Sequence, residues 1–399
     1  MARQITAFLV SLMITLALVP VVYAQDTSGS LSTPAYVIMS TESGQMLKEN
    51  NSASSVNAAL LHRMMICFLA IENLDTDISA NISGQKYSVP DLLKLSLLAD
   101  NQSATSALSD MLSPVPESIV KMMNRRATEL GLSNTLFTVA EQADSEYSHT
   151  TLQDMAKFIT AAINNSEFKA LYCTQATVLS ADGTLINNNN KLVMAAGSSK
   201  NTGGTLDTYV LDTNERYTIS YMGNIICEET GATINIVFVC DCIYGTDYRK
   251  FGENIFSEIG NSYTRVPVVT TGETLLALPV GNETLNITAA SDAYCIKSSE
   301  TGNPVTQVSF TMREGYDIND IEPPIIKNSE LGMANVLLYD GTTVNVPIVA
   351  GNSIYVQNES INNFITSLIS NRQILFIIGI LSAIEIVLLV LNIKRRLGK

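Results

Sequence analysis

Tryptophan is absent from this 399-residue chain, and histidine occurs only twice, at His62 and His149. Two histidines, with cysteines at no metal-ligand spacing, give no reason to expect a metal. Basic residues are scarce as well: 24 Lys and Arg stand against 38 Asp and Glu, a formal net charge of −14. A chain of that sign lacks the electrostatic footprint of a nucleic-acid binder and repels an anionic surface. No internal repeat is present, and nothing in the sequence calls for an organic cofactor.

What the chain does have is apolar length at both ends. Residues 1–24 carry a basic start at Arg3, an apolar run from Ile5 to Val22, and Val22-Tyr23-Ala24 before Gln25. That order reads as a secretory signal peptide cleaved after Ala24; an N-terminal membrane anchor is the alternative. At the other end, Gln373 to Ile393 is apolar apart from Gln373, Ser382, Glu385 and Asn392, and Lys394-Arg395-Arg396 follow. Such a run is long enough to cross a bilayer, and its basic flank (394–399) is expected to stay cytoplasmic. Glu385 inside that span would be protonated in place or paired with another span. The expected localisation is thus a single-pass protein of the cell membrane with its body outside the cytoplasm.

Roughly 350 residues lie between the two apolar ends, enough for two domains. Helical periodicity marks Pro90–Leu98, Glu117–Leu130, Thr150–Asn164 and Thr246–Ile259, while Tyr217–Asn224 and Thr233–Cys240 alternate like strands. Helices in the middle with strands on either side fit a helix-covered antiparallel sheet. From residue 261 to 352 helical periodicity disappears, and short apolar stretches separated by Gly, Asn and Asp turns indicate a small β-rich domain. Residues 353–372 are a polar linker. Of the six cysteines, Cys67 sits mid-helix and Cys240 and Cys242 share one strand face. Buried free thiols are expected, although an exported protein could pair them.

The stretch Asn57–Asn73, NAALLHRMMICFLAIEN, is an apolar helix that follows a strand, a Ser43-Gly44 turn and a second short strand. This order resembles the opening of the serine-type D-alanyl-D-alanine carboxypeptidases, the low-molecular-mass penicillin-binding proteins. ELGLSNTLF at 129–137 is similar to that family's Leu-Gly-x-x-Asn-Thr-x-Phe segment. Tyr147-Ser148-His149-Thr150 with Gln153-Asp154-Met155-Ala156 is similar to its Tyr-Ser-Thr-Ala-x-Asp-Leu-Ala helix start. Between them the family's Asn-Pro-His-Gly-Leu turn is replaced by TVAEQADSE. The 261–352 region resembles the family's β-rich second domain. The resemblance implies an α+β fold of the penicillin-binding/β-lactamase type over about 30–260, then the β-rich domain and one C-terminal transmembrane helix at 373–393.

It also implies three site motifs, and each is altered. The family's Ser-x-x-Lys falls on Leu60 and Arg63. Leucine has no atom to attack a carbonyl, and arginine holds its proton too tightly to act as a base. Ser-x-Asn falls on Ala99-Asp100-Asn101: the relay serine is lost, and the asparagine that would hold a substrate amide is kept. Lys-Thr-Gly falls on Asn201-Thr202-Gly203, with Lys200 just before it. Asn101, Lys200, Asn201, Thr202 and Gly203 are therefore the candidate substrate-binding residues. Ser83…Lys86, Ser118…Lys121 and Ser166…Lys169 also fit Ser-x-x-Lys, but none has an apolar helix behind it. His62 has no hydroxyl or thiol at position 60 to activate.

These residues point to an inactive member of the family that binds peptidoglycan stem peptides or an envelope partner. An active carboxypeptidase trimming peptidoglycan pentapeptides is the alternative.

Overall fold

The computed structural model describes residues 34–138, 148–196, 201–211, 213–298, 300–318, 321–355 and 372–397. It divides into two units: residues 1–265 with 296–301, and residues 266–295 with 302–399. The expected signal peptide, residues 1–24, lies outside the described residues, as do most of the linker and Lys200.

The first unit is built on a five-stranded antiparallel sheet. Its strands are β1 (Ala35–Ser40), β2 (Met46–Asn50), β3 (Gly203–Leu211), β4 (Asn214–Ile226) and β5 (Thr233–Ile243), in the order β2-β1-β5-β4-β3. The first and last strands of the unit therefore lie side by side, with Val37 opposite Val239. This pairing of distant segments leaves β3 as a sheet edge.

Alternation along the strands sorts side chains between two cores. Val37, Met39, Val237 and Val239 face a helical layer. That layer contains α1 (Ala59–Asn73), α2 (Val89–Ala99), α3 (Gln102–Leu112), α4 (Pro116–Glu129), α5 (Leu152–Ala162) and α6 (Ser166–Tyr172). Ile38, Ile236, Phe238 and Cys240 face the other way, toward α7 (Lys191–Ala195) and α8 (Tyr248–Ser262). Helix α1 is buried continuously from Ala59 to Ala70, which is why its sequence is apolar on nearly every side, His62 and Arg63 excepted. Local chemistry sets the other helix starts. Pro90 occupies the first turn of α2, and Thr151 caps α5 by accepting the Asp154 N–H at 3.1 Å.

The second unit carries its own five-stranded antiparallel sheet. Its strands are β6 (Thr274–Val280), β7 (Glu283–Ala289), β8 (Val305–Met312), β9 (Glu330–Leu338) and β10 (Thr343–Ala350), ordered β6-β7-β10-β9-β8. Leu285, Ile287, Ala334, Val336, Val346 and Ile348 alternate into its core. Helix α9 (Arg372–Leu397) runs through the C-terminal apolar stretch. Its described side chains cover only part of that stretch, and among the described residues no helix is long and apolar enough to cross a membrane. Cys67, Cys173, Cys227, Cys240 and Cys242 are free thiols, and every cysteine but Cys173 is buried.

Candidate functional site

Helix α1 begins where Asn57 Oδ1 accepts the Ala59 N–H at 2.7 Å. One turn in, Leu60 and Arg63 are both 0% exposed. Leu60 is part of the helical core and presents no surface to solvent. Arg63 reaches out of that core to the edge strand β3. Its Nη2 donates to the Leu206 carbonyl at 2.6 Å and to Thr205 Oγ1 at 3.2 Å. Its Nη1 forms an ion pair with Asp100 and lies 3.8 Å from Asp207 Oδ1. Thr205 Oγ1 passes the chain of bonds on by donating to the Leu97 carbonyl at 2.6 Å.

The guanidinium is a cross-brace between α1, the α2–α3 junction and β3. Burial lowers its pKa from the ordinary arginine value, and the Asp207 carboxylate and the Cys67 thiol act in the opposite direction. An arginine fixed by this many acceptors cannot take a proton from a neighbour.

Asp100 and Asn101 owe their places to the α2–α3 junction. Ala99 is the last residue of α2 and is exposed. Asp100 follows in the left-handed region (φ 55°, ψ 40°), a conformation that aspartate tolerates better than most residues. This turn delivers its carboxylate to Arg63. Asn101 caps α3, its Oδ1 accepting the Ala104 N–H at 2.9 Å.

At the third motif, Asn201 lies exposed in a turn, Thr202 is buried and Gly203 opens β3. A Cβ on Gly203 would come within 2.5 Å of the Tyr172 carbonyl oxygen, and one on Gly204 (φ +158°) within 2.3 Å of the Ser220 carbonyl oxygen. The glycines permit close approach of the chain's own backbone. The asparagine run Asn188–Asn190 ties down the same strand and its neighbour β4. Asn188 Nδ2 donates to the Gly204 carbonyl at 2.8 Å, Asn189 Nδ2 to Leu206 at 3.2 Å and Asn190 Nδ2 to Ser220 at 2.8 Å.

The structure thus gathers Arg63, the Ala99–Asn101 turn and the start of β3 around one guanidinium, and it buries Leu60 beneath them. Neither Asp100 and Asp207 as partners of Arg63 nor the asparagine run was foreseen from sequence. The run itself was the only available signal.

Among the described residues, the other candidate groups offer no activated nucleophile. The Cys67 Sγ is 3.2 Å from Ser96 Oγ, and burial pushes its pKa up to about 11, so the thiolate is suppressed. His62 packs edge-on against Phe137 with ring centroids 5.9 Å apart. Ser118 and Ser166 lie at the starts of α4 and α6, and Ser83 in a turn with φ 51°.

Comparison with known proteins bears on this arrangement. Residues 78–207 match the family model described as D-alanyl-D-alanine carboxypeptidase. The match includes Ala99–Asn101 and Asn201–Gly203 and begins after Leu60 and Arg63. The chain is 25% identical over 181 residues to the D-alanyl-D-alanine carboxypeptidase DacF of Bacillus subtilis, covering 39% of this chain and 46% of that protein. It is 26% identical over 162 residues to DacC of Escherichia coli, covering 34% and 40%. The chain therefore spans less than half the length of these relatives. In fold it is similar to penicillin binding protein 5 from Haemophilus influenzae, with a TM-score of 0.57 at 16% identity over 80% of this chain and 97% of that one. At that identity the likeness speaks for the fold alone.

Proposed function

We propose that this chain, a member of the D-alanyl-D-alanine carboxypeptidase family, is a catalytically inactive one that works by binding rather than hydrolysis. The observation that carries the reading is the buried Leu60 at the nucleophile position, next to an Arg63 committed to Asp100, Thr205 and Leu206. Acyl transfer needs a hydroxyl or thiol and a base to activate it. Neither Leu60 nor Arg63 can fill these roles.

The ligand class follows from the family: a D-alanyl-D-alanine-terminated stem peptide of peptidoglycan, or an envelope protein in its place. Asn101, Asn201, Thr202, Gly203 and Lys200 are the residues proposed to meet it. Calorimetric titration with a D-alanyl-D-alanine pentapeptide is expected to give saturable heat and to return the peptide intact. Recovery of free D-alanine, abolished by no inhibitor of a contaminating enzyme, would overturn the reading.

The proposed setting is the outer face of a membrane. Support comes from helix α9, whose side chains Leu381, Ile384, Ile386, Val387, Leu388 and Leu389 are exposed apolar groups, and from the basic run after Ile393. Glu385 falls among them and would need protonation or a partner. With 1–24 as a signal peptide and 373–393 as a span, protease added to intact cells is expected to remove the body of the protein. Cleavage seen only after lysis would contradict this topology.

A further inference from the structure

On the side of the sheet that carries α7 and α8 there is a partly open cleft of about 590 Å³, lined by Lys191, Tyr217, Tyr248, Arg249, Lys250 and Glu253 together with residues 245–247. Its size falls within the range of small-ligand sites, roughly 300–1,000 Å³. Three of these nine lining residues are cationic, in a chain with only 24 Lys and Arg among 399 residues.

The two acids of the cleft are already committed. Asp247 Oδ1 accepts the Lys250 N–H at 3.1 Å as the cap of α8, and Glu253 Oε1 accepts from Arg249 Nε at 2.9 Å. Lys191 and Lys250 have no carboxylate partner among the described residues, and both are exposed. Arg249 is paired with Glu253, so Lys191 and Lys250 are the cations of the cleft left without an ion-pair partner among the described residues.

Two tyrosines, Tyr217 and Tyr248, line the cleft, and the exposed Tyr244 packs against Tyr217 next to it. Tyr217 lies 5.0 Å from Tyr244 and 5.7 Å from Tyr248, measured between ring centroids. Lys191 Nζ sits 6.0 Å from the Tyr248 ring, and the Lys191 backbone N–H donates to Tyr248 Oη at 3.0 Å. Desolvation, followed by the hydrogen bond with Tyr244, pushes the Tyr217 pKa up to about 12. Aromatic faces beside ammonium groups in an open cleft suit a ligand with both an apolar ring face and a negative charge.

We propose that this cleft binds an acidic sugar chain, its ring faces lying against Tyr244 and Tyr217 and its carboxylates against Lys191 and Lys250. A neutral glycan would leave the lysines unused, and a simple phosphate would leave the tyrosines unused. The site is separate from the Arg63 brace and does not depend on whether the chain hydrolyses peptides.

The test is calorimetric titration of the full chain with tetragalacturonate, chitotetraose and inorganic tripolyphosphate. Tetragalacturonate is expected to bind saturably, more weakly as salt is raised. The Lys191→Gln/Lys250→Gln variant should lose about tenfold in affinity, roughly 1.4 kcal/mol. Tyr244→Ala, at a position 54% exposed, should weaken binding severalfold without lowering the melting temperature. The other two probes should bind at least tenfold less tightly. No saturable heat with tetragalacturonate would overturn the proposal. So would unchanged affinity in the lysine variant, or tripolyphosphate binding equally well with Tyr244→Ala silent.

Discussion

A fluorescent penicillin is expected to leave no covalent label on this protein after denaturation. β-Lactams acylate the serine that attacks the peptide substrate, and Leu60 at that position has no nucleophilic atom. Loss of the nucleophile alone costs on the order of 10⁶-fold in a serine hydrolase, and the loss of cooperating groups adds little further. Here the position is also sealed, since Leu60 is 0% exposed. On the proposed reading, a probe meets at this position a buried leucine that it cannot acylate. A labelled band, mapped by peptide mass to any residue of α1, would remove Leu60 from the nucleophile position.

The second large effect is on stability. Arg63→Ala is expected to destabilise the first unit by about 3–5 kcal/mol, the usual penalty for removing one partner of a buried ion pair. The guanidinium is shared by Asp100, Asp207, Thr205 and the Leu206 carbonyl. Its removal leaves two carboxylates, one of them nearly buried, with no cation between them, and strips a donor from the edge strand. For a unit of this size the melting temperature should fall by roughly 10 °C. Arg63→Lys keeps the charge but loses the planar fork that spans α2 and β3, so its cost should be smaller. Thermal melts of the parent and both variants check the order. Equal stability of Arg63→Ala and the parent would mean that the brace contributes nothing.

Helices and strands were legible wherever burial imposes a period. Pro90–Leu98 became α2 with one residue added at each end, and the alternating stretches around Tyr217–Asn224 and Thr233–Cys240 became the longer β4 and β5. Helix α1 was legible as a buried element because it is apolar on nearly all sides.

Arg63 was legible as a replacement for a lysine but not as a brace. Its acceptors lie in α2's terminal turn and in β3, far apart in sequence, and no local pattern announces such a meeting. The amides of the asparagines at 188–190 donate to the carbonyls of Gly204, Leu206 and Ser220, contacts that nothing in their spacing announces. At Gly203, a candidate substrate-binding residue from sequence, the space a Cβ would need is taken up by the backbone of Tyr172 and Cys173. Tertiary contacts decide such roles, and sequence spacing carries no trace of them.

The most direct test of the proposal that a reactive pair has been replaced by a structural one is to restore the pair and measure D-alanine release alongside thermal melting. Leu60→Ser with Arg63→Lys exchanges a fully buried apolar side chain for a small polar one, at a cost of about 2 kcal/mol or more. It also weakens the brace to Asp100 and Leu206. The double variant is expected to melt below the parent and to release no D-alanine from a D-alanyl-D-alanine pentapeptide. Slow β-lactam acylation is expected only when Ala99→Ser and Asn201→Lys are added. Brisk D-alanine release by the double variant alone would contradict this, because it would show a working groove that lacked only its serine and lysine.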